Sequence, residues 1–287
     1  MKYTLIAAMM LISTSLLAQE DLMEALERET AQESIYVEQT FKGTRLVTGH
    51  SVETRDRGVL DVLIMHRFGR LNSGGYEFFG LDDSNIRLGV DWGISDRFNI
   101  GVGRNSFEKT YDGFLKYKLV RQREGATPLS AVAFGSLALR TLKTGNPAGE
   151  PDVGDRLTYT YQMIVARKFS PGFSFQLSPT IVHRNMVLES GEPNTVYALG
   201  GGGRLKLSKR VSLNAEYYYR FNTPDASPMH NSLAIGFDIE TGGHVFQLHI
   251  SNSRSMIEKG FITETTGDFF DGDIHFGFNI SRVFQMY

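Results

Sequence analysis

No cysteine occurs anywhere in the 287 residues. That excludes a disulfide framework, a thiolate metal site, a thiol nucleophile and a lipid-modified N-terminal cysteine. Charge of one sign is lacking too: 30 Lys+Arg against 32 Asp+Glu leave −2, without the basic footprint of a nucleic-acid-binding surface. Beyond the first turn of the chain no apolar run approaches the roughly eighteen residues that a membrane-crossing helix requires, so a membrane role would need a closed β-barrel. What is abundant is glycine, at 30, with 20 Phe and 12 Tyr. Rings pack on pleated surfaces and glycines leave room on one face, which favours an all-β chain.

The first segment reads as an address. Met1-Lys2, the apolar run Leu5 to Leu17 and the small residue Ala18 before Gln19 form the three regions of a secretory signal peptide, too short to span a bilayer. The expected organisation is a leader over 1–18, an N-terminal segment over 19–57 and a barrel over 58–287. Residues 20–38 carry Glu20, Asp21, Glu24, Glu27, Glu29, Glu33 and Glu38 against Arg28. This acidic arm reads as a periplasmic linker or as a plug folded into the barrel. Within 37–57, Arg45, His50 and Glu53 are the candidates for hydrogen bonding inside a lumen.

From Gly58 onward the chain alternates apolar and polar residues in about twelve segments, each bounded by turn residues. Ile86, Leu88, Val90, Trp92 and Ile94 oppose Arg87, Gly89, Asp91 and Gly93. The same two-residue period runs through 157–165, 173–181, 211–221, 232–239 and 274–281, and more weakly through 59–68, 97–104, 111–121, 196–207 and 244–252. In 129–140 two parities compete, Val132 and Phe134 against Leu137 and Leu139, and the alternation leaves both open. A soluble sandwich would show the same alternation. Three features favour lipid instead. Tight connections at 95–96, 170–172, 208–210 and 241–243 alternate with long ones at 69–84, 142–155, 185–194 and 253–272. Aromatics gather toward the ends of the apolar faces, at Trp92, Tyr159, Phe173, Tyr219, Phe221 and Phe246. The chain also closes on Phe284 and Tyr287, an aromatic ending of the kind that barrel-assembly machinery reads. The expected fold is therefore a single closed transmembrane antiparallel β-barrel of about twelve strands. Short turns face the periplasm, longer loops face outward, and the lipid bilayer of a Gram-negative outer membrane is its partner.

Several stretches also resemble a known family. Phe41-Lys42-Gly43-Thr44-Arg45, Gly49-His50-Ser51-Val52-Glu53, His66-Arg67-Phe68-Gly69, Asn72 to Leu81 and Ser106 to Lys118 are similar to an uncharacterised β-barrel family of Bacteroidota outer membranes. The resemblance covers most of the chain after the leader. It implies a barrel and an outer-membrane address, and brings no catalytic or ligand residues with it.

The polar faces give the functional expectation. Arg67, Arg87, Lys116, Lys118, Lys168, Arg184, Arg204, Lys206 and Arg220 are expected to face inward, against Asp61, Asp91, Glu216, Asp238 and Glu240. A positive excess in a narrow channel favours a small anionic solute. Lumen-lining candidates are Arg87, Asp91, Lys116, Lys118, Gln162, Arg204, Glu216, Arg220, Asp238, His249 and His275. The competing reading is a lumen filled by paired charges, in a non-conducting barrel that binds a partner through loops 69–84, 142–155 and 253–272. Enzymatic constellations are weak. His249 and His275 project inward from neighbouring strands without a third ligand, and His50 beside Ser51 on an extended chain points away from it. Asp268 to Asp273 reads as a turn rather than a calcium loop. Gly200 to Gly203 lacks the lysine and helix of a phosphate loop and more simply makes room for a bulky inward neighbour or bends the sheet. No catalytic residue, metal or cofactor is expected.

Overall fold

The computed structural model describes residues 36–145, 149–187, 191–241 and 243–286. Residues 1–35, which take in the expected leader and most of the acidic stretch, parts of the loops at 142–155 and 185–194, Gly242 and the terminal Tyr287 lie outside the described residues. Twelve strands follow one another: β1 (Val59–Arg70), β2 (Ser84–Gly93), β3 (Phe98–Asn105), β4 (Tyr111–Val120), β5 (Ser130–Leu139) and β6 (Leu157–Ser170). The second half comprises β7 (Phe173–Arg184), β8 (Thr195–Lys206), β9 (Val211–Arg220), β10 (Ser232–Thr241), β11 (His244–Ser251) and β12 (His275–Gln285). Every strand pairs antiparallel with its chain neighbours, and β1 pairs with β12 to close the ring. An antiparallel ring with an even number of strands puts both ends of the barrel on one rim.

The alternation sorts side chains as the period of two demands. In β2, Asn85, Arg87, Gly89 and Asp91 are buried while Ile86, Leu88 and Trp92 are exposed. In β9, Ser212, Asn214, Glu216, Tyr218 and Arg220 are buried, and Tyr217 and Tyr219 face out. The inside is polar and the outside is greasy, the reverse of a soluble core. β5 resolves its competing parities: Val132, Phe134 and Ala138 point inward and Leu137 outward. Both its faces are apolar because the inner one packs on Phe41, Leu46 and Val52 of the N-terminal segment.

Connection lengths follow the expected alternation at most positions, with two departures. The β3–β4 connection on the far rim is only 106–110, and the β4–β5 connection on the rim of the chain ends runs over 121–129. The 253–272 loop needs a larger correction. In the competing reading it is part of an external binding surface; its first half, 253–263, instead turns into the barrel, while Thr266, Phe270 and Asp271 stay exposed. Ser255, Met256, Ile257 and the short helix Glu258–Thr263 are all buried. Its apolar residues explain this: Phe261 and Ile262 join Val182, Val196, Ala198 and Tyr218 in a cluster inside the wall. Left outside, those side chains would have faced water.

Candidate functional site

Two inserts occupy the lumen. The first is a tight hairpin within residues 40–53, entering from the rim of the chain ends. Arg45 and His50 pair across it, the Leu46 amide donates to the Gly49 carbonyl, and the Ser51 amide donates to the Thr44 carbonyl. Only four residues separate the hairpin's arms, so its tip is narrow enough to enter a barrel of twelve strands. The second insert is the β11–β12 loop with its short helix, entering from the far rim.

The wall holds the hairpin from many strands at once. At the tip, the Glu216 carboxylate accepts from the amides of Val47 (3.3 Å), Thr48 (2.6 Å) and Gly49 (3.1 Å). Lys116 donates from Nζ to the carbonyls of Ser51 (2.9 Å), Glu53 (3.0 Å) and Thr44 (3.3 Å). Arg204 donates to the carbonyls of Gln39 and Thr40, both at 3.1 Å. Gln176 accepts from the Val52 amide and donates to the His50 carbonyl. Gln247 and Asn279 donate to the carbonyls of Leu46 and Val47. A hairpin with no sheet neighbour of its own thus has its backbone groups met by inward polar side chains, as burial requires.

The sequence-derived candidates separate into three kinds. Lys116, Arg204, Glu216, Arg45 and His50 are brought together at the hairpin. Asp91 belongs with them, accepting from Thr44 Oγ1 at 2.8 Å and lying 3.6 Å from the Arg45 guanidinium. His50 sits between the rings of Phe114 and Phe134, 4.4 Å from each centroid, and accepts from Arg45 at Nδ1. Burial, then the nearby Arg45 and Lys116, pushes its pKa well below the usual histidine value. Glu53 accepts from the Phe41 amide at the base of the hairpin. Gln162 and Asp238 instead bond within the wall, to Thr180 and Gln247. Lys118 is half-buried and lines a vestibule of about 390 Å³ beneath the hairpin, open to the rim of the chain ends.

Arg87 and Arg220 require a correction. Both are lining candidates that the filled-lumen reading pairs with the five expected inward carboxylates, but each meets a carboxylate outside that set. Arg87 pairs with Asp112, and Arg220 donates to Glu192 at 2.7 Å, with Arg184 3.8 Å from the same carboxylate. The expected excess of positive charge therefore shrinks. Lys206, counted as inward, is exposed at the rim. Three buried cations bond no carboxylate among the described residues: Arg67, Lys116 and Arg204. Lys116 and Arg204 bond hairpin carbonyls, Arg204 also reaches Ser212 Oγ, and Arg67 bonds neutral groups of both inserts and of β11.

His249 and His275 do not meet as a pair. His249 accepts from Arg67 at Nε2 (3.0 Å), and His275 donates from Nδ1 to the Phe68 carbonyl (2.9 Å). The glycine run does make room: a Cβ on Gly200 would strike the Tyr218 ring and one on Gly202 would strike Leu46. Asp268 and Asp273 are tied up in their own turn, by the amides of Phe270 and Asp268.

The sequence reading missed the second insert. Lys259 sits between Glu108 (2.8 Å) and Glu264 (2.7 Å), and Arg140 also donates to Glu108. Burial acts to raise the Glu108 pKa, but Lys259 and Arg140 outweigh it and hold the carboxyl below its usual range. The signal available was Met256, Ile257, Phe261 and Ile262, four large apolar residues in what otherwise reads as a polar external loop.

A closed ring with a greasy exterior and a polar interior defines a membrane β-barrel, here with its lumen occupied. The chain belongs to the family described as "Membrane bound beta barrel domain (DUF5777)", whose model matches residues 41–284. The match begins at Phe41, so it takes in the hairpin as well as the wall. No curated protein matches the chain in sequence. Among solved structures, the NanC porin aligns at 10% identity over 78% of this chain and 98% of that one, with a TM-score of 0.48. The KdgM porin aligns at 9% identity over 79% and 99%, with a TM-score of 0.46. Overlap at that level says nothing of cargo.

Proposed function

We propose that this protein is an outer-membrane channel for small hydrophilic solutes, anions favoured, held shut by the hairpin as a plug. One observation carries the reading: Lys116 and Arg204 are buried basic side chains whose hydrogen-bond acceptors are largely the plug's own carbonyl oxygens. A permanent core would satisfy buried cations with carboxylates, since a buried charge without its counter-charge is costly. Carbonyl oxygens are weaker partners that water or the oxygens of an anionic solute can replace. With the hairpin withdrawn, Lys116, Arg204 and Arg67 face the lumen together and set its preference. The exported, outer-membrane address rests on the leader-like start of the chain and on the barrel itself, because strands cross membranes only as closed rings.

A second reading has its own observation. Phe41, Leu46 and Val52 bury against Phe114, Val132, Phe134 and Ile164, apolar packing that resists withdrawal and suits a permanently filled structural barrel. Planar-bilayer recording separates the two. The full chain should be nearly silent, and a variant lacking residues 40–54 should pass current with anion preference. A deletion variant that keeps its heat-modifiable mobility on gels yet passes nothing would overturn the channel, and one that prefers cations would overturn the anion preference.

A further inference from the structure

The two inserts enter from opposite rims and meet inside. Arg67 of β1, fully buried, joins them through one guanidinium. Its Nη1 donates to the carbonyls of Ser253 (2.6 Å) and Ser255 (2.9 Å) in the far-rim loop. Its Nη2 donates to Thr48 Oγ1 (3.0 Å) at the tip of the hairpin. Tyr218 makes a second bridge. Its hydroxyl lies where a Cβ on Gly49 would fall, and its ring packs edge-on against Phe261 at 5.0 Å. A third contact is direct, His50 Nε2 lying 3.9 Å from Glu258 Oε1, and that oxygen has no hydrogen-bond partner. The gap left between the inserts, lined by Arg45, His50, Met256, Ile257 and Glu258, holds only about 10 Å³.

The far-rim insert has its own latch, whose ion pairs include no hairpin residue. Lys259 is clamped between Glu108 and Glu264. Glu108 and Lys109 both sit in the left-handed region, at φ 53° and 49°, which side chains other than glycine rarely adopt. That strained turn presents the Glu108 carboxylate to the loop from β3–β4, and strain of this kind collects where an element has a task beyond packing.

We infer that the barrel is a relay across the membrane: the state of the β11–β12 loop at the external rim governs whether the hairpin is exposed at the periplasmic rim. Loop withdrawal removes Ser253 and Ser255 from Arg67, Phe261 from Tyr218 and Glu258 from His50. Each loss loosens a group that also holds the hairpin, and packed interiors pass such changes on rather than absorbing them. Whatever draws the loop outward would thereby be reported to the periplasm, whether or not solute passes. The relay rests on the hairpin being able to leave, but not on conductance. Coupling of this kind is reciprocal, so removing the hairpin must free the loop by the same factor that removing the loop frees the hairpin.

The absence of cysteine makes the test clean. Thr40→Cys places one thiol at the buried base of the hairpin, and its reaction with a membrane-impermeant maleimide in nanodiscs reports hairpin exposure. Lys259→Met, which removes the latch and leaves every hydrogen bond between wall and hairpin in place, should speed labelling at least tenfold. Replacing 256–263 by a Gly-Ser linker, which takes the insert out by construction, should speed it further. In the reverse direction, deleting 40–54 should speed protease cleavage at Arg254 by a comparable factor. Labelling unchanged in the linker variant, with barrel mobility intact, overturns the relay. Conductance plays no part in this readout, so a silent barrel that still relays remains distinguishable from a channel that does not.

Discussion

Glu216→Gln is the sharpest perturbation of the closed state. The native carboxylate accepts from three successive amides of the hairpin tip, and it helps hold Arg67 by charge. Glutamine keeps the shape but offers one acceptor, and turns an NH2 toward groups that are themselves donors. Charge-assisted hydrogen bonds are worth about 1.5–3 kcal/mol and neutral ones about 0.5–1.5, so three weakened bonds cost about 3 kcal/mol. Relief from burying a charge returns about 1 kcal/mol of that, leaving a net loss near 2 kcal/mol. The ratio of inserted to withdrawn hairpin should fall about thirtyfold. Single-channel recording should show openings where the parent shows almost none, and labelling at Thr40→Cys should accelerate by a similar factor. Both readouts unchanged within about threefold, in protein that still shifts on heating, would mean that the tip is held by shape alone.

Other perturbations probe separate contacts. Gly49→Ala would place its Cβ 2.3 Å from the Tyr218 hydroxyl, and the ring cannot retreat because Phe261 lies against it; faster Thr40→Cys labelling is expected without loss of the barrel. Lys116→Met in a barrel lacking 40–54 should lower the anion-to-cation permeability ratio measured by reversal potential, and an unchanged ratio would remove Lys116 from the selectivity argument. Acid should release the far-rim loop. Burial opposes the Glu108 carboxylate, but Lys259 and Arg140 depress its folded pKa below the unfolded value. Its contribution is therefore complete above the ordinary Glu range of about 4.3 and is lost as pH falls through the depressed value. Protease cleavage at Arg254 should rise over that window, and Glu108→Gln should abolish the rise.

The wall of this protein was legible because lipid outside and polar groups inside impose a strict period of two. Arg87, Asp91, Glu216 and Asp238 fall on the inner face for that reason alone. β5 defied the rule because Val132 and Phe134 answer to Phe41 and Leu46, residues nearly a hundred positions away that strand periodicity does not see. The hairpin's location was suggested by its polar residues, and Arg45, His50 and Glu53 do cluster with Lys116. Its shape was not visible, since its turn carries none of the Asn-Gly or Asp-Gly pairs that announce two-residue hairpins. The far-rim insert is not legible from loop length; its signal is the apolar set Met256, Ile257, Phe261 and Ile262 in an otherwise polar connection. Part of the charge balance departs for a related reason: Glu192 and Glu258 reach the lumen from connections, which alternation does not describe, whereas Asp112 lies in β4 on the same parity as Lys116.

Closure of the ring by β1 on β12 has a consequence for biogenesis. Met65 finds Asn279 across the seam, so the opening strand must wait for the final one before it has a second neighbour. Until His275 to Gln285 arrive, the chain is a ribbon with two raw edges. A product truncated upstream of them cannot leak, because it encloses nothing, and it cannot seat the hairpin, because there is no chamber to receive it.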